Sequence, residues 1–229
     1  FVQPGTLGSL SEFKKEYESK LKTKNEKTNY YEIQSSIETK LRFIYKRRTK
    51  SVELKGQLPN KYEQKSYVAL GHEQKEMYLS IIKQIKAKEM HAMNALTLLK
   101  QLCSHPALID NIYNDIEYKK VPKLDKTVEM LKKIQKNQEK VLIFTEYHKM
   151  QFILRKTILE IFELDAPIIN GTTPHRQTLI DEFNQSIGFH IMILSPRAAG
   201  TGLTITSANH VIHYTRWWNP AVENQATDR

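Results

Sequence analysis

The spacing of hydrophobic residues changes near residue 140 and divides the chain into two regions. Before that point, apolar side chains recur every three or four residues, as on one face of a helix. This period predicts helices over three ranges, which are 11–48 in two pieces, 72–103 and 124–136. Ser11 followed by Glu12 is the expected N-cap of the first helix, and Pro106 is expected to stop the long second one.

Two segments of this helical region lack a helical period. Residues 61–70 (KYEQKSYVAL) are predicted to form a strand that Gly71 closes. Residues 109–122 are predicted to form a loop. The first part of the chain is therefore predicted to be mainly helical, with one strand.

From Lys140 onward, short apolar runs alternate with helical segments, and the first of them, VLIF at 141–144, is wholly apolar. The runs are predicted to be buried strands, and they cover 141–144, 167–169, 190–194 and 210–214. The predicted helices are 148–162, 174–183 and one that begins at Pro220. Strands that alternate with helices indicate crossover connections. We therefore predict an α/β fold with a parallel sheet that is covered on both faces.

Composition excludes a membrane-spanning protein. No apolar run reaches the roughly 18 residues that a bilayer span needs, and the first residues do not resemble a secretory signal. The single cysteine, Cys103, has no partner for an internal disulfide, which favours a reducing compartment. We expect a cytoplasmic protein with no membrane partner. The spacing of cysteine and histidine predicts no metal site.

The net charge of +10 lies in the first two thirds of the chain. Residues 1–65 carry +7, residues 66–140 carry +4 and residues 141–229 carry −1. A basic domain attracts polyanions through counterion release, and nucleic acid is the commonest such partner. Lysine-rich helix surfaces that contact only water would give the same charge, so charge alone leaves both interpretations open.

A glycine-rich turn, Gly200-Thr201-Gly202, follows the predicted strand 190–194. Glycine lets backbone N–H groups approach an anion with no Cβ in the way. Ligands of open α/β sheets bind beyond the carboxyl ends of strands, which is where this turn falls. A tight turn without a ligand would have the same sequence, so the turn by itself does not identify a site.

Six segments in order give the chain a resemblance to a known family. SPRAAGTGLTITSANHVIHYTRWWNPAVENQATDR (195–229) resembles motifs V and VI of the SWI/SNF-type (Snf2 family) ATPases of helicase superfamily two, in their bacterial form. VLIFTEY (141–147) resembles their motif IV. The other similar segments are INGTTPHRQTLIDEFN (169–184), QLCSHPALI (101–109), RRTK with LPNK (47–50 and 58–61) and FVQPGTLGSLSEFKKEY (1–17). Six ordered matches are far more specific than any one motif.

The resemblance implies three parts and one activity. The parts are the end of a first lobe with a helical protrusion at 1–70, a helical insertion at 71–137, and a RecA-like helicase C-terminal lobe of the P-loop NTPase-like fold at 138–229. The implied activity is that of an ATP-driven double-stranded DNA translocase or remodelling motor, cytoplasmic and nucleoid-associated. ATP and Mg²⁺ would be held mainly by a first RecA-like lobe of the same polypeptide. A non-catalytic nucleic-acid-binding scaffold and an RNA helicase remain as alternatives.

By resemblance, the last segment would also bind the nucleotide. Arg229 is the catalytic candidate, because a guanidinium stabilises the charge that develops on a transferred phosphoryl group. The ATP-binding candidates are Gly200, Thr201, Gly202, Gln225, Asp228 and Arg229. The alternative for Arg229 is a helix-surface arginine paired with Glu223 or Asp228.

By the same resemblance, the carboxyl ends of the strands would contact a duplex at its backbone. The DNA-binding candidates are Thr145, Gly171, Thr172, Arg176, Arg197, Thr201 and Trp218. Each has a structural alternative. Thr172 would cap the following helix, Arg197 would be a surface charge and Trp218 would pack.

Three positions depart from the family pattern, and one part of the motor is absent. Thr215 stands where Asp is common, Arg197 where Lys is common and Ala199 where Gly is common. Neither a G-x-x-x-x-G-K-[ST] run nor a D-E-x-H run occurs in the sequence, and the chain stops within motif VI. We therefore interpret the chain as the second-lobe fragment of a motor.

This chain alone is expected to hydrolyse no ATP, because the phosphate loop and the acidic pair that hold ATP and Mg²⁺ in such motors are absent from its sequence. Phosphate release from the purified chain, with and without duplex DNA, measures this. Turnover that co-elutes with the chain in size-exclusion chromatography and scales with its concentration would contradict the prediction.

Overall fold

The computed structural model describes residues 5–21, 26–44, 61–199 and 203–217, together with residues 219, 223, 224 and 227. The chain divides into two compact units, Phe1–Lys65 and Ser66–Arg229. The division into three parts, with boundaries after residues 70 and 137, stays a prediction. None of the helices in the described ranges is long and apolar enough to cross a membrane.

The first unit is helical where it is described. Its elements are α1 (Leu10–Phe13), a π-helical turn (Lys14–Glu18), α2 (Ser19–Leu21) and α3 (Glu26–Leu41). Tyr17 is buried, and the Nζ of Lys40 lies 5.3 Å from the centre of its ring. The same ammonium forms an ion pair with Glu16 at 2.9 Å. The prediction of two helical pieces is confirmed over these residues.

The N-cap of α1 is Ser9, so the prediction of Ser11 was wrong. Glu12 N donates to Ser9 Oγ at 3.4 Å, and Ser9 N donates to Glu12 Oε2 at 2.7 Å. This reciprocal pair requires a serine three residues before the acid. Ser11 lies only one residue before Glu12 and cannot form it.

The prediction of a strand at 61–70 was also wrong. Nine of these ten residues are exposed, and no described strand pairs with the segment. A strand is stable only when its N–H and C=O groups bond to a neighbouring strand. A suitable sequence is therefore insufficient without that neighbour.

The long helix predicted over 72–103 consists of two helices, α4 (His72–Lys86) and α5 (Ala92–Ser104). Lys88 between them has a φ of +60°, which a continuous helix does not allow. Side chains of both helices, Ile81 from α4 and Leu102 from α5, share one small buried cluster. The hydrophobic period continues across the break because both helices face this cluster.

The predicted loop at 109–122 is a series of short turns. Three 3₁₀ turns lead from α5 to α6, and they are Pro106–Leu108, Asn111–Tyr113 and Tyr118–Lys120. The helix α6 (Pro122–Lys136) confirms the third predicted helix to within two residues. Pro106 follows the end of α5, as predicted.

Four parallel strands form the sheet of the second unit. They are β1 (Val141–Phe144), β2 (Ile168–Ile169), β3 (Ile191–Leu194) and β4 (His210–His213), and their order is β2-β3-β1-β4. The helices between them are α7 (His148–Phe162), α8 (Arg176–Gln185) and α9 (Pro196–Ala199). The predicted α/β fold with a parallel sheet is confirmed. Helix α8 begins two residues late because His175 has a φ of +48°.

Both faces of this sheet are buried at its centre, which explains why the central strands β1 and β3 are wholly apolar. Val141 and Ile143 join a buried cluster with side chains of α6 and α7. Leu142 and Phe144 join a second cluster with side chains of α8 and α9. Successive strand residues point to opposite faces, so each position of β1 must be hydrophobic.

A buried lysine fixes the amino edge of the sheet. Lys140, directly before β1, donates from Nζ to the carbonyls of Phe183 at 2.5 Å and Asn184 at 3.1 Å in the last turn of α8. The ammonium also lies 5.2 Å from the centre of the Phe183 ring. Burial lowers the pKa of Lys140. The cation satisfies carbonyls that have no partner within the helix and opposes their partial negative charge.

Gly71 lies where the start of α4 meets the backbone before α6. A Cβ at this position would lie 2.5 Å from the Lys120 carbonyl oxygen and 3.3 Å from Pro122 Cδ. We expect Gly71→Ala to lower the free energy of unfolding by about 1–3 kcal/mol, the usual cost of extra atoms in a packed site. Urea-induced unfolding measures the change.

The matched control is Gly171→Ala, because nothing lies within 4 Å of a Cβ at that glycine. Its effect is expected to stay within about 0.5 kcal/mol. Equal destabilisation by the two substitutions would show that the contact with Lys120 is not the cause.

Candidate functional site

The carboxyl ends of the parallel strands meet at one edge of the sheet, and buried polar residues follow them. Thr145 follows β1, Asn170 follows β2 and Ser195 follows β3, while Thr215 comes two residues after β4. The exposed fraction of each is 8% or less. We name these four residues the carboxyl edge. Because buried polar groups require hydrogen-bond partners, their side chains determine the local structure.

Thr145, a predicted DNA contact, is fully buried in this edge. Thr215 Oγ1 lies 3.2 Å from Thr145 Oγ1 and accepts a hydrogen bond from Glu146 N at 3.0 Å. The Thr145 hydroxyl is thus engaged inside the protein, and its contact with DNA stays a prediction. Thr215, whose role the family pattern left in doubt, joins the ends of β1 and β4.

Asn170 organises the turn after β2. Its Oδ1 accepts from Thr172 N at 3.0 Å, from Thr172 Oγ1 at 2.8 Å and from Thr173 Oγ1 at 3.1 Å. Its Nδ2 donates to Gln151 Oε1 at 3.0 Å. An asparagine that bonds to the backbone two residues later stabilises a tight turn. The main role of the Thr172 hydroxyl is therefore within this turn, since α8 begins only at Arg176.

Arg176 closes the same turn from the first position of α8. Its Nη2 donates to the Gly171 carbonyl at 2.7 Å and its Nε donates to the Thr173 carbonyl at 3.2 Å. Gly171 and Thr172 themselves are exposed. The structure thus brings three predicted DNA contacts together: Gly171, Thr172 and Arg176. A guanidinium has five N–H donors, and these two bonds use only two of them.

Arg197 lies on α9, after β3, and stacks on an aromatic ring. Its guanidinium carbon is 5.3 Å from the centre of the Trp217 ring, a distance typical of a cation–π contact. Ser195 Oγ accepts from Ala198 N at 3.2 Å and holds the start of this helix. Arg197 is therefore attached to the segment after β4 rather than being an isolated surface charge.

Seven predicted site residues lie outside the described residues. They are Gly200, Thr201, Gly202, Trp218, Gln225, Asp228 and Arg229. Among the described residues of the same segment of sequence, Glu223 forms an ion pair with Arg216 Nε at 2.5 Å, and His213 Nε2 lies 2.7 Å from Thr227 Oγ1. The carboxylate of Glu223, considered above as a partner for Arg229, is thus bound by Arg216.

Asn184 holds the segment that returns from the glycine turn. Its Nδ2 donates to the Thr204 carbonyl at 3.3 Å, and its Oδ1 accepts from Thr206 N at 3.3 Å and Ser207 Oγ at 3.1 Å. Asn184 lies in the last turn of α8, while Arg176 begins that helix. One helix therefore connects the turn after β2 with the segment after Gly202.

Sequence reasoning did not identify Gln151, Asn170, Thr173 or Asn184. A usable signal was present for Gln151, which is the polar residue between Met150 and Leu154 on the apolar face of a predicted helix. A polar side chain in such a position is costly unless it is bonded. The pairing of Gln151 with Asn170 could not be read from the spacing, because it depends on the order of the strands.

Side chains also fasten the helical hairpin α4–α5 to the carboxyl edge. Lys100 Nζ forms an ion pair with Glu146 Oε1 at 2.5 Å, and Tyr214 Oη donates to the Ser104 carbonyl at 2.8 Å. Burial raises the pKa of Tyr214, so its hydroxyl stays a donor. Glu146, the residue directly after Thr145, therefore binds the helix α5.

His105 has a structural role beside this attachment. Its Nδ1 accepts from Ala107 N at 3.1 Å. Burial, followed by the positive charge of Lys149, lowers the pKa of His105 to about 4. In the described part of the chain, no cluster of three or more His, Cys, Asp or Glu side chains could hold a metal ion.

Comparison with known families divides the chain almost completely between two descriptions. "SNF2-related domain" matches residues 1–108, and "Helicase conserved C-terminal domain" matches residues 122–229. Both matches agree in order with the segments that resemble SWI/SNF-type ATPases.

Two solved structures from Sulfolobus solfataricus are similar to the chain. The C-terminal domain of a SWI2/SNF2 ATPase is 30% identical with a TM-score of 0.58, and the match covers 68% of this chain and 72% of that one. The SWI2/SNF2 ATPase core in complex with dsDNA is 29% identical with a TM-score of 0.66, over 99% of this chain and 49% of that one.

Two curated relatives match the whole of this chain. The putative ATP-dependent helicase/translocase YwqA of Bacillus subtilis is 34% identical, and the match covers 26% of that protein. The Zorya protein ZorD of Escherichia coli is 37% identical, with 23% of its length covered. The chain therefore spans about a quarter of these relatives.

We expect Asn170→Ala to lower the free energy of unfolding by about 1–3 kcal/mol, because it leaves buried partners such as Gln151 Oε1 without a hydrogen bond. Urea-induced unfolding measures the loss. Asn114→Ala is the control, since Asn114 is exposed, and its effect is expected to stay within about 0.5 kcal/mol. A loss no larger than that of the control would show that Asn170 does not hold the turn.

Proposed function

The chain belongs to the SWI2/SNF2 family of ATPases, and on that premise we propose that it forms the second lobe and preceding helical region of an ATP-driven double-stranded DNA translocase. One observation carries the proposal. The similarity to a SWI2/SNF2 core in complex with dsDNA extends over 99% of this chain. The activity is that of a longer polypeptide, of which this chain is one part.

The turn after β2 supports contact with a DNA backbone. Gly171 and Thr172 are exposed, and the Arg176 guanidinium lies against them. Two hydrogen bonds within the turn use two of the five N–H donors of Arg176, and a guanidinium binds phosphate oxygens without reading base sequence. We therefore propose that this turn, together with Arg197 and Thr201 from the segment that follows β3, contacts one strand of the duplex at its phosphates.

The uneven distribution of net charge supports different roles in DNA binding for the two parts of the chain. Residues 141–229 have a net charge of −1, whereas residues 1–140 have a net charge of +11. The second lobe has no excess of positive charge with which to attract DNA over long distances. Its contacts are therefore few and specifically placed, and the basic residues of the first two thirds provide the general attraction.

We also propose that Arg229, with Gly200, Thr201, Gly202, Gln225 and Asp228, faces the nucleotide. ATP and Mg²⁺ would be held mainly by a first RecA-like lobe of the same polypeptide. Closure of the two lobes on ATP would move the second lobe along the duplex. We propose a bacterial, cytoplasmic and nucleoid-associated setting, and the relatives from Bacillus subtilis and Escherichia coli support its bacterial part.

In the full-length protein, duplex DNA is expected to stimulate ATP hydrolysis well above RNA of the same length. Arg229→Ala is expected to lower the stimulated rate about 10³-fold, as loss of an arginine that stabilises phosphoryl transfer does. Steady-state phosphate release measures both effects. The stimulation should be independent of DNA sequence and weaken steeply with salt, because its contacts go to phosphates.

Arg155→Ala is the matched control, since Arg155 on α7 forms an exposed ion pair with Asp165. Its rate should stay within about twofold of wild type, because exposed ion pairs contribute little. Equal rates for wild type and Arg229→Ala would remove Arg229 from the mechanism. Equal stimulation by RNA and DNA would contradict the proposed substrate.

A further inference from the structure

Gln151 is a buried polar side chain on the apolar face of α7. Its exposed fraction is 0%, and its neighbours on the helix, Met150 and Leu154, belong to the hydrophobic core. Burial of an amide is costly unless its donors and acceptor are bonded. A hydrophobic residue would fill the same space without that requirement, so the bonds of Gln151 are the reason for its presence.

Those bonds connect the ends of two strands that are not neighbours. Gln151 Nε2 donates to the Thr145 carbonyl, directly after β1, at 3.2 Å. Gln151 Oε1 accepts from Asn170 Nδ2, directly after β2, at 3.0 Å. Because β3 lies between β1 and β2, the backbone ladder does not link these two ends directly. The side chain of Gln151 bridges them.

The bridge is the centre of a longer network. On one side, Asn170 Oδ1 accepts from the backbone N–H and the hydroxyl of Thr172 in the exposed turn. On the other side, Thr145 Oγ1 lies 3.2 Å from Thr215 Oγ1, after β4. Hydrogen bonds in a buried network strengthen one another. The position of the exposed turn is thus fixed relative to the ends of β1 and β4.

We propose that Gln151 is a positioning residue for DNA, an inference that rests on the proposed function. It sets the distance between the Gly171–Thr172 turn and the carboxyl-edge residues Thr145 and Thr215. Phosphates recur regularly along a strand, so a surface that contacts several of them must keep its own spacing fixed. Gln151 touches no DNA itself and acts through Asn170 and Thr145.

The test uses the full-length protein with Gln151→Leu, which keeps the volume and removes both bonds. The concentration of duplex DNA that gives half-maximal ATPase stimulation should rise about tenfold, the effect of losing roughly one net hydrogen bond. ATP hydrolysis without DNA should stay within about twofold of wild type. This separation between the DNA requirement and the unstimulated rate is not expected from general destabilisation.

Gln74→Leu is the matched control. Gln74 is also buried, with an exposed fraction of 3%, and its Nε2 donates to the Leu102 carbonyl at 2.6 Å. It lies on α4, outside the carboxyl edge. Its replacement should lower the unfolding midpoint and leave the half-maximal DNA concentration within about twofold of wild type.

Gln151→Met is a second variant in case the leucine variant does not fold. The methionine keeps the unbranched shape and a weak acceptor for Asn170, but it has no group that can donate to the Thr145 carbonyl. It should also raise the half-maximal DNA concentration. In a double-mutant cycle, Gln151→Leu with Asn170→Ala should shift that concentration less than the two separate shifts combined, because both act through one bond.

The possible outcomes separate this inference from the proposed function. Absence of stimulation of the wild-type protein by duplex DNA overturns the proposed function and the inference together. Stimulation of the wild type, with Gln151→Leu and Gln151→Met both at the wild-type DNA concentration, overturns the inference alone. Equal shifts for Gln151→Leu and Gln74→Leu also overturn it, since they would reflect loss of stability.

Discussion

The structure of the second unit depends on one constraint, which is that its sheet is buried on both faces. Every residue of β1 and β3 lies in the core, so polar groups are confined to the positions just beyond the strands. At the carboxyl edge these groups are buried as well and must bond to one another. The hydrogen-bond network of the carboxyl edge is thus a consequence of the wholly apolar strands β1 and β3.

Two helices form hydrogen bonds to the ends of the strands and to the segments next to them. Helix α7 contributes Gln151, which joins the ends of β1 and β2. Helix α8 begins with Arg176, which closes the exposed turn, and nearly ends with Asn184, which holds the segment after the glycine turn. The two ends of α8 are thus bonded to the turn after β2 and to the segment after Gly202.

The helical hairpin α4–α5 is joined to the same edge. Glu146 comes directly after Thr145 and Tyr214 directly before Thr215, and they bind Lys100 and the Ser104 carbonyl of α5. The attachment uses one ion pair with little exposure and one buried hydrogen bond, both sensitive to geometry. The hairpin and the edge therefore form one structural block within the second unit.

The sequence by itself determined the α/β class, the positions of the strands from β1 to β4 and the family. Short apolar runs are a local signal, and burial on both faces makes that signal unambiguous. It also placed Gly171, Thr172 and Arg176 at or near the start of one helix, because they are close along the chain. Only the tertiary structure decided three other matters. Residues 61–70 form no strand because no described strand pairs with them, and the helix over 72–103 is broken because both halves pack on one cluster. Gln151 meets Asn170 because the order β2-β3-β1-β4 and the path of α7 place them together. Each of these depends on contacts between residues distant in sequence, which local periodicity does not encode.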